Sequence, residues 1–510
     1  MKKAEVVVVP LPLMGHMVSA LEFSKLLLAR DDRFLVTVLI MNPIKDPNLA
    51  KFITHSLTLS SSFNSDGIRF LQLPALEDDT ATLSITSRVQ AQKPRVKDIV
   101  SRLTSTTTTS SSSASPDHQS SSSSSSTLGH NDSPRLAAFV LDMFSTGLME
   151  VASDFGVPWY VYFSSGAAFL GCMLYLGNLL DQQRVDLTEF KDSDAELPIP
   201  SLANPLPGKL LPALALDTYS LPVLHYHALK LGEARGVIVN TFLELESHAL
   251  HSLAQDRRSS SKTPPVYPVG PILNLKKNKS TTNVNDDEYE DVMQWLDKQA
   301  TSSVVFLCFG SWGNLDEDQV KELALALERC GYPFLWSLRQ PPPKGTFLYP
   351  SNYTNLGDDI FPDGFLDRTA EIGKVIGWAP QADILAHPAV GGFVSHCGWN
   401  SILESVWFGV PLAAWPMYAE QQFNAFQVVM ELGLGTEIKL DYRKSLTGDG
   451  QVLVSAQEIE KGIRVVMEYD SEARRRVQEM SEKGRKAMMS GGSSHSALGT
   501  VIQDILERMN

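Results

Sequence analysis

The 510-residue chain has only four cysteines, Cys172, Cys308, Cys330 and Cys397, far apart and with no CxxC pair. That excludes a disulfide scaffold and points to a reduced, cytoplasmic protein, with Cys308 a core thiol in an apolar run. Positive charge is scarce: 44 Lys and Arg against 58 Asp and Glu leave a net charge of −14. Nucleic acids and anionic membranes need basic surface and are excluded as partners. A local anion site built from backbone N–H groups is not. No apolar run approaches the roughly 18 residues of a transmembrane helix. The N-terminus mimics a signal peptide, but Glu5 interrupts it, two prolines follow, and no small-residue cleavage site is present. A buried first strand is expected instead. No strand runs into GxGxxG, since Val9 leads into PLPLMGH. That argues against a nicotinamide dehydrogenase.

What is present is an ordinary globular composition, 43% hydrophobic, in a chain long enough for two or three domains. Short apolar runs at 6–9, 34–41, 136–141, 159–163 and 236–241 read as strands, with helical spacing from Met17 to Leu28 and at 147–155. The second half repeats the pattern: strands at 304–309, 334–338, 375–378, 392–395 and 411–415, and a helix at 316–330. Continuous apolar strands alternating with amphipathic helices imply parallel sheets covered on both faces. The expected division is an N-terminal domain over 1–256, a linker over 257–289, a C-terminal domain over 290–490, and a last helix in 491–510 that packs back on the N-terminal domain. Residues 101–127 are almost all Ser and Thr. They read as a disordered surface insertion.

The densest chemistry lies between Trp378 and Gln421. The strand 391–395 delivers HCGWNS to the start of a helix. A helix N-terminus has free N–H groups and partial positive charge, which suits a phosphate. His396, Asn400 and Ser401 add side-chain donors there. Glu404, one turn deeper on the same face as Asn400, can accept bonds from two adjacent hydroxyls, as on a ribose. Trp378 offers a flat face to a base, Gln381 follows on the next turn, and Glu420 and Gln421 close the segment after a strand end. Singly, each has a structural explanation: a core Trp, an N-cap, a solvated helix carboxylate. Together they describe a nucleotide-sugar site.

This segment resembles the signature box of plant family-1 UDP-glycosyltransferases, in length and in Trp378, Gln381, His387, Phe393, His396, Cys397, Gly398, Asn400, Ser401, Glu404, Gly409, Pro411 and Gln421. The likeness extends to VVVVPLPLMGHM, FLCFGSWG, FLWSLRQPPPKG and FLDRTAEIGKVIGWAPQ, covering nearly the whole chain, with a subgroup acting on flavonoids, other phenolics and terpenoids the most similar. It implies an α/β, GT-B fold, with two Rossmann-like domains facing a central cleft. It implies UDP-sugar and a small-molecule acceptor as partners, no metal or other cofactor, and a monomer. By resemblance, Trp378 and Ala379 lie at the uracil and Gln381 helps bind the uridine. His396, Asn400, Ser401, Ser311 and Ser337 hold the diphosphate, and Glu404 takes the ribose. Glu420, Gln421, Trp399 and Ser164 take the sugar. Gln at the last box position is associated with glucose. Trp312 departs from the pattern, being bulky for a loop beside the diphosphate.

His16 follows the first strand, at the mouth of the first helix, and Asp142 ends another strand of that sheet. Neutral histidine suits removal of a hydroxyl proton near pH 7. A carboxylate behind it would orient the ring and stabilise the imidazolium. Taken alone, His16 reads as a histidine bonded near a helix N-terminus, and Asp142 as a cap for Phe144 onward. The resemblance makes them the catalytic pair of an inverting O-glucosyltransferase. Met14, Met143, Phe144 and Tyr418 are candidates for the acceptor pocket, and ordinary packing explains them equally well. His225 and His227 stand at i, i+2, a metal-ligand spacing in a strand, but no third ligand accompanies them. A non-catalytic nucleotide-sugar sensor remains the alternative of another class, which intact His16 and Asp142 argue against.

Overall fold

The computed structural model describes residues 3–41, 50, 53–54, 67–74, 76, 85–105, 134–182, 185–260, 263–275, 286–343, 348–357, 360–444 and 452–509. Two all-parallel sheets organise them. The first has seven strands: β1 (Ala4–Val9), β2 (Phe34–Ile40), β3 (Ile68–Gln72), β4 (Arg135–Asp142), β5 (Trp159–Phe163), β6 (Gly236–Val239) and β7 (Val266–Pro268), in spatial order β3-β2-β1-β4-β5-β6-β7. The second has six: β8 (Val304–Cys308), β9 (Phe334–Ser337), β10 (Gly373–Ile376), β11 (Val390–Ser395), β12 (Leu412–Ala414) and β13 (Gly435–Glu437), in order β10-β9-β8-β11-β12-β13. Each order reverses direction once, between β1 and β4 and between β8 and β11. Ligands of open parallel sheets bind beyond the carboxyl ends of the strands at such reversals.

β1 is buried along its length, and its side chains alternate between two cores. Val6 and Val8 pack with Phe23 and Leu27 of α1 (Met14–Arg30) and with Leu498, Val501, Ile502 and Ile505 of the C-terminal helix. Val7 and Val9 join a core that continues into the second half through Phe306, Phe393 and Ile402. Glu5, the residue that spoils the apolar run, is buried but not unpaired. Arg69 donates to it at 2.6 Å and Thr37 at 2.5 Å, so a charged ladder crosses three strands.

Several expected boundaries shift. The supposed linker 257–289 begins inside a helix (Ser247–Ser260) and contains β7, the edge strand of the first sheet. Three residues that follow Pro264 and Pro265 and end in Pro268 present no apolar run to read, and proline is tolerated at a sheet edge. β3 and β13, also short, went unanticipated. The start of the Ser/Thr tract, residues 101–105, finishes a helix (Lys93–Ser105) rather than starting an insertion. The remainder, 106–127, lies outside the described residues. His225 and His227 sit in a helix, Leu221–Leu231, not a strand. Among the described residues no group of side chains could hold a metal ion, and no helix is long and apolar enough to cross a membrane. The last helix (Ser493–Glu507) follows a break at Gly491, whose φ of +85° favours glycine, and it covers the outer face of the first sheet. Its Asp504 accepts from Arg235 and from Tyr160 of β5.

Candidate active site

The reversal in the first sheet places His16 beside Asp142. β1 and β4 are paired with Val9 opposite Leu141, so their carboxyl ends are level. His16, in the first turn of α1, lies with Nδ1 2.7 Å from Asp142 Oδ2. The aspartate side chain is 1% exposed and the histidine 21%. The other carboxylate oxygen, Oδ1, accepts the Phe144 N–H at 2.9 Å. Both readings of Asp142 are therefore realised: it caps the turn that follows and it holds the imidazole. Burial pulls the His16 pKa down, but the charge and hydrogen bond of Asp142, with the charge of Glu420 from the second half, leave it raised above its ordinary value. Nδ1 is engaged by Asp142, which leaves Nε2 to take a proton. Ser164 Oγ is 3.2 Å from the same Nδ1, so the hydroxyl expected at the sugar sits against the imidazole instead.

The reversal in the second sheet builds the opposing wall. β11 ends at Ser395, and after three intervening residues α5 (Trp399–Phe408) begins. The His396 ring is wedged between two glycines: a Cβ on Gly310 would come within 2.5 Å of it, and one on Gly398 within 2.6 Å. Burial drives its pKa down to about 4, opposed by a bond to the Cys308 backbone, so the ring is neutral. Its Nδ1 is buried without a partner among the described residues. Cys397, next to it, has φ +60°, and Ala419 has φ +59°. Strained residues of this kind persist only where the surroundings over-determine them, often at functional sites.

One turn into α5, Gln381 ties the deeper residues together. Its Nε2 donates to Ser401 Oγ at 2.8 Å and to Glu404 Oε2 at 2.6 Å. Burial raises Glu404 to about pKa 7, with the Gln381 bond acting the other way. Trp378 follows β10 and is half-buried; Ala379 is buried and accepts the Gln381 N–H at 2.9 Å. Glu420 is raised, chiefly by burial, with His16 pulling it down across the cleft. Gln421, first residue of α6 (Gln421–Phe426), is held by its carbonyl oxygen accepting from the N–H groups of Met417 and Tyr418.

Four of the expected residues have surroundings that the sequence did not reveal. Ser337 is buried and gives its hydroxyl proton to the Gly377 carbonyl at 2.7 Å, so in this arrangement it has none for a phosphate. The Trp399 indole is 3% exposed and donates to the Asn240 carbonyl of the first half at 2.7 Å. Its backbone N–H, first in α5, is one of the donors a helix start leaves without an intrahelical partner. Asn400 lies at that end, but one of its N–H groups bonds to the Gly15 carbonyl at 3.2 Å. Met143 is 3% exposed and belongs to the core rather than to a pocket wall. Met14, Phe144 and Tyr418 are half-buried, and the Phe144 ring lies 6.0 Å from His16. Behind Phe144 stands His227, clamped between Thr146 and Thr86 and pushed down to about pKa 4 by burial. Ser311 and Trp312 occupy the turn after β8, with Trp312 against Tyr349 at 4.3 Å between ring centroids.

Sequence reasoning missed the groups that join the two halves: Asn240, Glu246 and Gln427. The position of Asn240, just past the end of β6, was the available signal; the other two carried none.

Residues 262–449 match the family model described as UDP-glucoronosyl and UDP-glucosyl transferase. The chain is 48% identical to UDP-glucose flavonoid 3-O-glucosyltransferase 6 of Fragaria ananassa, over 99% of each chain. It is 47% identical to anthocyanidin 3-O-glucosyltransferase 1 of Manihot esculenta, over 97% of this chain and all of the relative. Among solved structures, UGT71G1 of Medicago truncatula complexed with UDP-glucose superposes with a TM-score of 0.80 at 34% identity, covering 99% of this chain and 98% of that one.

Proposed function

The chain belongs to the family of UDP-glucoronosyl and UDP-glucosyl transferases, and we propose that its cleft joins glucose from UDP-glucose to a flavonoid hydroxyl with His16 as the base. It is a UDP-glycosyltransferase of GT-B fold, a hexosyltransferase that uses UDP-glucose for O-glucosylation of flavonoids. The observation that carries the catalytic reading is the His16–Asp142 pair, facing the start of α5 across the cleft.

Trp378 stacks on the base. Glu404 takes the ribose hydroxyls, with Gln381 fixing its carboxylate. The N-terminus of α5, the neutral His396, Ser311, Asn400 and Ser401 meet the diphosphate, and Glu420 and Gln421 take the sugar. On the acceptor side, His16 Nε2 removes the hydroxyl proton as the oxygen attacks the anomeric carbon from the face opposite UDP. The bond to the diphosphate oxygen breaks, and the product is a β-glucoside. Asp142 stabilises the imidazolium that forms. The charge growing on UDP is met by the helix end and its donors, with no metal in the scheme. The site is complete within one chain, which supports a monomer. Four buried, unpaired cysteines support a reducing, cytoplasmic setting.

The test is transfer by the purified enzyme with UDP-glucose, UDP-galactose and UDP-xylose over an acceptor panel, products read by mass. His16→Ala should abolish most transfer, roughly a hundred- to ten-thousandfold, while UDP-glucose still binds. Turnover like the wild type's in that variant would rule out His16 as the base.

A further inference from the structure

Among the described residues, side chains of the donor-side helices donate three hydrogen bonds to the first half. Two have been described, Trp399 to Asn240 and Asn400 to Gly15. In the third, Gln427 Nε2 donates to Glu246 Oε1 at 2.7 Å. Glu246 is 3% exposed, as is Gln427. Its oxygens also accept the N–H groups of Ala167 at 2.7 Å and Ala168 at 2.8 Å, the first residues of α2 (Ala167–Gln182). A buried carboxylate is strongly unfavourable unless its lone pairs are satisfied. Here the start of a sixteen-residue helix supplies two donors and a partial positive charge, and the other half of the molecule supplies the third.

The placement of Gln427 gives this contact its consequence. It stands where α6 passes into a π-helical turn, Gln427–Glu431, and such turns recur at functional sites. Glu420 and Gln421 begin the same continuous segment. Glu431, at its other end, accepts the N–H groups of Ala203 and Asn204 of the first half, each at 2.8 Å. Phe169 of α2 packs on Phe423 of α6, ring centroids 5.9 Å apart. The segment that presents the sugar-facing residues is thus fastened to the half that carries His16, and its one buried polar fastening is Glu246–Gln427 among these contacts. Neither residue reaches the reacting atoms.

We propose that Glu246, acting through Gln427, is a positioning residue that aligns the donor-carrying segment with His16, so that the anomeric carbon meets an acceptor oxygen rather than water. This rests on the reading of His16 as base and of the second half as donor site. In either outcome the bond from the anomeric carbon to the UDP oxygen breaks. With an acceptor, the new C–O bond gives the glucoside and the hydroxyl proton passes to His16. With water, the products are glucose and UDP.

Gln427→Met keeps the volume and removes the donor. UDP affinity by calorimetry should stay within about twofold, while kcat falls roughly ten- to a hundredfold, as expected for a small misalignment. The share of UDP-glucose released as free glucose should rise. Gln427→Lys restores a donor to the carboxylate and should recover most of the lost kcat. Gln427→Glu, the same size but setting two carboxylates face to face, should not. If Met and Glu variants both keep wild-type kcat and product partition, Gln427 merely fills space and the inference fails. It fails equally if UDP affinity drops in step with kcat. Should the Met variant not fold, Lys above Glu sustains the inference and equal rates overturn it. His16→Ala run in parallel separates the two levels: turnover retained there sinks the underlying reading, whereas its loss with an unaffected Gln427→Met sinks only this one.

Discussion

On the donor side of the cleft, Gln381 bonds to Glu404 across 23 positions of sequence, and both lie in one stretch with Ser401, His396 and Gln421. On the acceptor side, His16 meets Asp142 across 126 positions and Ser164 across 148. Most of the donor wall comes from consecutive elements, the helix Gln381–Leu385, β11, α5, β12 and α6, so its groups lie close in sequence, with Ser311 added from the turn after β8. The acceptor wall is assembled by the strand order of a seven-stranded sheet, which sets the end of β4 beside the start of the helix that follows β1. On the proposed function, the first kind of site would bind by fixed dipoles and donors, the second would act through a proton-transfer pair whose alignment depends on the rest of the fold.

The sharpest way to break this contrast is Asp142→Asn. It keeps the shape but removes the charge that raises His16. Transfer should fall on the order of a hundredfold or more, and the rising limb of the pH–rate profile should move to lower pH, with UDP affinity unchanged. A matching loss of UDP affinity would mean the two walls are not separable. The converse is Glu404→Ala. Losing two hydroxyl bonds to a carboxylate should raise the KM for UDP-glucose roughly ten- to a hundredfold while kcat falls much less. A kcat effect as large as that of Asp142→Asn would break the division of labour.

The two walls should also titrate apart. If His16 is the proposed base, its neutral form is the active one, and its raised pKa should put the limb of kcat above the ordinary value of 6.5. If Glu404 takes the ribose hydroxyls as proposed, its ionised form accepts them, so UDP-glucose should bind several-fold more tightly as pH rises through about 7. Binding by calorimetry against pH, set beside kcat, resolves the two. The smallest effect expected is for Ser164→Ala. If its hydroxyl serves the imidazole, kcat should change by roughly twofold to tenfold with KM for the sugar unmoved. A shift confined to KM would return Ser164 to the sugar.

The contrast also explains what could be read early. The placement of Asn400, Ser401 and Glu404 at and near a helix start was legible because a helix places i and i+4 on one face and a strand end fixes where the helix starts. The parallel α/β class followed from apolar strands such as Trp159–Phe163, whose bounds needed no revision. The short edge strand β7 was hidden by its prolines, and the hydroxyl of Ser337 was assigned to a phosphate although a carbonyl 40 positions away claims it.

By itself, the sequence determined the periodicities, the strand-to-helix turns and the residue types at them, because these depend on neighbours along the chain. The tertiary structure decided which strand ends lie side by side. It put Asp142 behind His16, turned the Trp399 indole toward Asn240, and buried Glu246 where a helix end and Gln427 satisfy it. Such pairings depend on sheet order and on the docking of two halves. A carboxylate in a loop carries no mark of the donors that will surround it.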